Sequence, residues 1–272
     1  MPNKLKIVFV GGGNMASAII AGVLANGADA RNITVIDPAG DTRERLAKEH
    51  GLRTMAAADR AMQDADVVVL AVKPQVMRDV CATLRGCLGD SLVISVAAGI
   101  RLDALSDWLG GCKRVVRAMP NTPALIGQGI TGMASADTLT SADRKIADTI
   151  ASAVGQVTWV ERESQLDAVT ALSGSGPAYV FYFIEAMEQA AEQLGLPASQ
   201  GRQLARQTFA GAAALAQGST QAVATLRQQV TSPGGTTAAG IDAMEKGNLK
   251  AVFVEAIQAA ARRSVDLGNL AS

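Results

Sequence analysis

The chain of 272 residues is short of the groups that most often carry proton transfer and metal binding: it has one histidine, three cysteines and an aromatic fraction of 3%. A lone His50 cannot build a histidine-based metal cluster, and its place beside Gly51, where a helix end is expected, argues against histidine-dependent nucleophilic chemistry. Cys81, Cys87 and Cys112 show no metal-ligand spacing. An odd count fits free thiols in a reducing compartment, so a cytoplasmic protein without a metal site is expected. Basic and acidic residues number 25 each and no basic run occurs, which argues against nucleic acid or a polybasic membrane contact. No stretch approaches about 18 uninterrupted apolar residues, and Met1 to Lys6 lacks the apolar segment of a secretory signal, so no membrane association is expected.

What is present is small and aliphatic. Hydrophobic residues make up 49% of the chain, a composition suited to closely packed helices and fully buried strands, and the length allows two domains. Leu5 to Val10 is a continuous aliphatic run bounded by lysines, the pattern of a strand buried on both faces. It leads into Gly11-Gly12-Gly13-Asn14-Met15-Ala16 and an apolar helix to about Ala25. Strand, glycine turn and helix in this order form the context that a dinucleotide fingerprint requires. Gly11 permits the tight turn, Gly13 lets backbone approach a pyrophosphate, and Ala16 lets helix and strand pack closely. A second strand, Ile33 to Ile36, ends at Asp37, placed to hold the adenosine ribose hydroxyls. A carboxylate there favours NAD, whereas Arg43 and Arg45 offer a clamp for the 2′-phosphate of NADP, or else a solvated helix face. NADH and NADPH therefore both stay open as cofactors.

Strand and helix continue to alternate. Helix is expected over 42–49, strand over 66–72, helix over 74–84, strand over 92–96, a short helix over 103–109 and strand over 113–119. Closing strands are expected at 129–134 and 156–160 around a helix at 141–153. In an open parallel sheet the ligand lies beyond the carboxyl ends of the strands. Ala71-Val72-Lys73-Pro74, Ala97-Ala98-Gly99 and Met119-Pro120-Asn121-Thr122 all fall there, and read together as a lining for the cofactor. Lys73 alone reads equally well as a surface charge. The expected fold class is α/β: a Rossmann-like doubly wound sheet over 1–162, then an all-helical domain over 163–272.

From Leu166 onward helices are separated by glycine or proline stops. Tyr179, Phe183, Met187, Ala190 and Leu194 recur at helical spacing, and the last helix, 248 to about 266, gathers Leu249, Val252, Phe253 and Ile257 on one face. The helix expected over 199–217 carries only Arg206 as a charge from Ala205 onward, and a helix so apolar calls for cover on most sides. A domain of about a hundred residues offers little such cover. A second copy of the chain is the simplest cover, so a homodimer is expected. Ser219 or Thr220 is expected to cap a short helix to Gln229, and Leu172-Ser173-Gly174-Ser175-Gly176-Pro177 reads as a donor-rich helix start, equally as a structural cap or as a lining of the active crevice. Glu163 stands at the junction of the halves.

The stretch Val230 to Thr237 is the candidate for substrate. It carries four hydroxyls, Pro233, Gly234 and Gly235, and no charge, ahead of a helix-like run from Thr236 to Lys246. Backbone N–H groups converging at a helix start suit a carboxylate, with one hydroxyl left for the reacting atom; the alternative is a simple cap. A lysine acid/base of the kind used by β-hydroxyacid dehydrogenases is missing, because no lysine occurs between Lys145 and Lys246 and Lys246 ends a short helix. A non-catalytic dinucleotide sensor would not need a second anion cradle.

Together these motifs resemble the pyrroline-5-carboxylate reductases over nearly the whole chain. The resemblance rests on 11–16, 71–74, 97–99, Asn121-Thr122-Pro123, the run from Asp167 to Tyr179, and Thr231-Ser232-Pro233-Gly234-Gly235-Thr236-Thr237, of which the last two are specific to that family. It implies NAD(P)H-dependent reduction of 1-pyrroline-5-carboxylate to L-proline, and a helical domain interlocked in a dimer, often assembled into larger rings. It places the threonine near the imine nitrogen on Thr237, the carboxylate-binding hydroxyl on Ser232, the carboxylate-binding amides around Gly235 and Thr236, and an acidic residue near the product on Glu163. Two departures bear on the cofactor: many members have Asn where Ala58 stands, and Asp37 occupies a place where a small hydroxyl residue can meet the 2′-phosphate.

Overall fold

A computed structural model describes residues 4–271; the first three residues of the N-terminal segment and Ser272 lie outside the described part. Eight strands form one sheet: β1 (Ile7–Val10), β2 (Ile33–Ile36), β3 (Arg53–Met55), β4 (Val67–Leu70), β5 (Leu92–Ser95), β6 (Val115–Met119), β7 (Gly129–Ser135) and β8 (Gly155–Trp159). Their order is β3-β2-β1-β4-β5-β6-β7-β8. The first six are parallel, which is the order of a doubly wound dinucleotide fold, with its switch point between β1 and β4. β7 turns back antiparallel to β6, and β8 lies parallel to β7.

The aliphatic runs become strands because both of their faces are covered. β1, β4 and β5 are buried at every position. On one face they pack on α1 (Asn14–Ala25) through Ile19, Ile20 and Val23; the other face is covered by Met77, Cys81 and Leu84 of α3 (Pro74–Leu84) and Leu105 of α4 (Leu102–Trp108). At about 25 cal/mol per Å² of apolar surface removed from water, two such layers dominate the stability of this part. α2 (Gly40–His50) ends at Gly51 with φ 67, so His50 does lie at a helix end. β3 follows, a strand not expected from sequence. Its residues are exposed or half-buried at the sheet edge and show no aliphatic run. α5 (Ser141–Ala151) is shorter than expected, passing into a 3-10 turn at Ser152–Val154 because Gly155 has φ 145 and must begin β8.

The chain divides into two compact units, Met1–Ser175 with Ala260–Ser272, and Gly176–Ala259. The first unit also holds α6 (Gln165–Val169) and a π-helical turn at Thr170–Gly174, closed by Ser175 N–H donating to the Thr170 carbonyl at 2.8 Å. The Leu172–Pro177 segment is therefore a widened helical turn ahead of α7 rather than a free helix start. Gly174 lies against Met119, where a Cβ would come within 2.5 Å of the methionine methyl.

The second unit is built from helices: α7 (Gly176–Gln193), α8 (Ala198–Gly218), α9 (Val223–Gln229), α10 (Thr236–Lys246) and the first part of α11 (Leu249–Ala271). Tyr179 and Phe183 meet Phe253 edge-on at 5.8 and 5.5 Å, so the two predicted apolar faces do join. α8 buries only Gly201 and Ala205 within the chain. Phe181, Leu204, Leu215, Val223 and Val230 are exposed, and α8 and α9 line an apolar cavity of about 770 Å³. The expected cap of α9 is corrected: the helix begins after Ala222, and Ser219 Oγ instead accepts from Gln221 N–H two residues on. α11 runs five residues beyond the expected end.

Candidate functional site

In the first unit the glycine turn joins β1 to α1 at the switch point. Gly11 has φ 98, and a Cβ there would lie 2.7 Å from the Ala71 carbonyl oxygen, so only glycine lets the ends of β1 and β4 approach this closely. Its N–H donates to the Ile36 carbonyl at 2.7 Å. Gly13 caps α1 without any side-chain hydrogen bond, and a Cβ there would meet nothing within 4 Å. The N–H groups of Asn14, Met15 and Ala16 therefore have no side-chain partner at the helix start, the arrangement a pyrophosphate needs. Ala16 is fully buried, as close helix packing requires.

Asp37 closes this turn from the side. Its Oδ2 accepts from Gly12 N–H at 2.8 Å and its Oδ1 from Ala39 N–H at 2.9 Å. Arg43 donates to the carbonyls of Asp37 (2.7 Å) and Pro38 (2.8 Å). Arg45 donates to the Gly12 carbonyl and Ser17 Oγ and pairs with Glu49 at 3.0 Å. The three strand ends expected to line the crevice follow β4, β5 and β6 on the same sheet edge. Ala71 and Val72 are half-buried, Lys73 is exposed and precedes Pro74 at the first turn of α3, and Ala97 and Gly99 are buried. Asn121 uses its side chain on structure: Oδ1 accepts from Ile130 N–H at 2.9 Å and Nδ2 donates to the Ser173 carbonyl at 3.2 Å. What it offers the crevice is backbone.

Glu163 is held within the first unit. Its Oε1 accepts from Leu102 N–H at 2.9 Å, at the start of α4, and from Arg117 at 3.0 Å, a residue of β6 that is 4% exposed. Leaving that arginine without its partner would strand a buried charge, so the pair has a structural duty. Sequence reasoning missed Arg117, although an arginine in the middle of an aliphatic strand signals an internal partner without naming it. Burial pushes the Cys81 thiol up to about 11 and raises Cys112 as well, so neither of these two offers a reactive thiolate.

In the second unit the stretch Val230–Thr237 forms a tight turn onto α10. Thr231 Oγ1 donates to the Arg227 carbonyl at 2.6 Å, and Gly235 N–H donates to the Ser232 carbonyl at 3.0 Å across Gly234, whose φ is 71. Gly235 caps α10 with no side-chain hydrogen bond. The first N–H groups of the helix, on Thr236, Thr237 and Ala238, therefore have no partner among the described residues, and neither have the hydroxyls of Ser232, Thr236 and Thr237. Three N–H groups and three hydroxyls within seven residues make an uncharged cradle for a small anion.

Residues 163–267 match the family description "Pyrroline-5-carboxylate reductase dimerisation", and residues 6–99 match "NADP oxidoreductase coenzyme F420-dependent". A pyrroline-5-carboxylate reductase of Pseudomonas aeruginosa is 43% identical over 265 residues, covering 97% of each chain. The chain belongs to the pyrroline-5-carboxylate reductase family. Solved structures agree: the Coxiella burnetii pyrroline-5-carboxylate reductase superposes with a TM-score of 0.92 at 43% identity, covering 97% of this chain and 98% of that one. The Plasmodium falciparum pyrroline carboxylate reductase, solved with NADP bound, gives 0.86 at 31% identity, covering 98% and 99%. The helices of the second unit, which leave much apolar surface exposed, fall inside the dimerisation match. No helix among the described residues is long and apolar enough to cross a membrane.

Proposed function

We propose that this chain reduces 1-pyrroline-5-carboxylate to L-proline with NADPH or NADH, the last step of proline biosynthesis. The observation that carries the reading is the unengaged cradle at Ser232–Thr237, specific to the family in sequence and left open in structure. The reduced nicotinamide supplies a hydride that the imine takes at carbon 5, and a proton ends on the ring nitrogen. Gly13, Asn14 and Met15 hold the pyrophosphate through backbone, Gly11 makes the tight turn that presents them, Asp37 meets the adenosine ribose, and Ala71, Val72, Lys73, Pro74, Ala97, Gly99 and Asn121 line the remainder. Ser232 Oγ and the helix-start amides from Thr236 onward bind the substrate carboxylate, while the Gly235 N–H closes the turn onto the Ser232 carbonyl. Thr237 Oγ1 hydrogen-bonds the ring nitrogen.

A cyclic imine near neutral pH takes its proton from water, so no strong protein acid is needed. Positioning does most of the work, because holding two reactants in contact is worth effective molarities of about 10⁵ M or more in favourable cases. Glu163 enters this reading as the acid near the product, with Oε2 as its unengaged oxygen. The working form is a cytoplasmic homodimer whose second copy covers the exposed apolar side chains of α8 and α9, with a ring of dimers as the larger assembly. In this reading residues 1–162 serve the dinucleotide and residues 163–272 the substrate and the dimer, a division by role distinct from that into compact units. Purified protein given the imine and either reduced cofactor is expected to oxidise cofactor and form proline in equal amounts. Absence of cofactor oxidation at saturating concentrations would overturn the proposal.

A further inference from the structure

Resting on the dinucleotide reading of the first unit, we infer that this chain binds NADH in preference to NADPH, and that Asp37 sets the preference. The side chain is not free to move aside. Both carboxylate oxygens are fixed by backbone N–H groups, Gly12 at 2.8 Å and Ala39 at 2.9 Å, and its own N–H donates to the Met55 carbonyl at 3.0 Å. Each oxygen keeps lone pairs that can accept from the 2′- and 3′-hydroxyls of an adenosine ribose. A 2′-phosphate has no donor to give and brings negative charge against a carboxylate held in place.

The arginines that could offset that repulsion are already engaged. Arg43 is folded onto the carbonyls of Asp37 and Pro38. Arg45 is tied to the Gly12 carbonyl, Ser17 and Glu49. Arg43 spends only Nη1 on these carbonyls, whereas Arg45 spends both Nη1 and Nη2, so taking up a phosphate on Arg45 would break hydrogen bonds that hold the glycine turn. The unengaged N–H groups of Arg43 keep the local field from being purely repulsive. The outcome is weaker binding of NADPH, not its exclusion.

The test is a titration without the imine, following nicotinamide fluorescence, so that it is independent of catalysis. NADH is expected to bind at least about tenfold more tightly than NADPH, a modest effect for a carboxylate facing a phosphate at an exposed edge. Asp37→Ser is expected to narrow or invert that ratio by about tenfold, chiefly through tighter NADPH. Because Asp37 also anchors Gly12, the wild-type chain carries an arm of its own: 5′-ADP is expected to displace NADH more effectively than 2′,5′-ADP. NADPH binding as tightly as NADH, or 2′,5′-ADP displacing at least as well as 5′-ADP, would overturn the inference. An unchanged ratio in a folded Asp37→Ser variant would overturn the role of Asp37. Failure of both dinucleotides to bind would overturn the dinucleotide reading itself, and this inference with it.

Discussion

Two helix starts in this molecule use nearly the same residue types and reach opposite ends. α5 begins at Thr140, whose hydroxyl accepts from Asp143 N–H at 3.1 Å and donates to the Asp143 carboxylate at 2.8 Å, while that carboxylate accepts from Thr140 N–H. The helix satisfies itself. α10 begins at Gly235, followed by two threonines, and no side chain turns back to its N–H groups. The difference is one position: a hydroxyl at the cap closes the donors, a glycine leaves them open for a ligand. α1, capped by Gly13, follows α10 rather than α5. Other helix starts also lack a side-chain cap, but the two capped by glycine are those to which the proposed reaction assigns its two anions, a pyrophosphate and a carboxylate.

Closing an open start gives the sharpest break. Gly13 has φ −71 and ψ −173 with space around its missing Cβ, so Asp fits there without strain. Gly13→Asp is expected to leave the melting temperature unchanged or higher, because it caps α1. It is also expected to weaken NADH and NADPH by about 100- to 1,000-fold through repulsion of the pyrophosphate. Tight binding in that variant would show that α1 does not face the phosphates. Thr237→Ala is expected to lower kcat by about 10- to 100-fold, the range for one hydrogen bond to a developing charge, and an unchanged kcat would remove Thr237 from the ring nitrogen. For Ser232→Ala the effect should fall mainly on KM for the imine, by about tenfold for one hydrogen bond to a charged group. A change confined to cofactor affinity would move Ser232 to the other ligand.

The smallest effect belongs to the closed start. Thr140→Ala should cost about 1 kcal/mol of stability, read from denaturant unfolding, with both KM values unchanged. Acid should act on the same cap. Burial of Asp143 opposes its ionisation, but the Arg114 guanidinium and the Thr140 hydrogen bonds outweigh it and hold the carboxyl below the usual range. A depressed folded pKa gives stability that is present above the ordinary value of about 3.9 and is lost as pH falls through the folded value. The wild-type chain should therefore lose more stability than Thr140→Ala on acidification below about pH 4.

What could be read from sequence is what depends on near neighbours along the chain. The β1 run, the glycine turn and Asp37 lie within about thirty residues and follow one local grammar, so they were legible together. β3 was not, because Arg53–Met55 becomes a strand only by pairing with β2 at the edge. The π-turn at Thr170–Gly174 was not, because its geometry answers to Met119 and Asn121, about fifty residues earlier. The same holds for the Arg117–Glu163 pair. The chemistry of the Ser232–Thr237 loop was legible in residue types. That its hydroxyls and the Thr236 and Thr237 amides are left unengaged is a property of the fold.

The central claim is that α10 holds the substrate by its carboxylate, and the most direct measurement compares 1-pyrroline-5-carboxylate with 1-pyrroline, the same cyclic imine without that group. The account predicts that 1-pyrroline is reduced with a KM at least about 100-fold higher, since charge-assisted hydrogen bonds to the carboxylate are each worth about 1.5–3 kcal/mol. It further predicts that Ser232→Ala no longer alters KM for 1-pyrroline. Equal KM values for the two imines would contradict it.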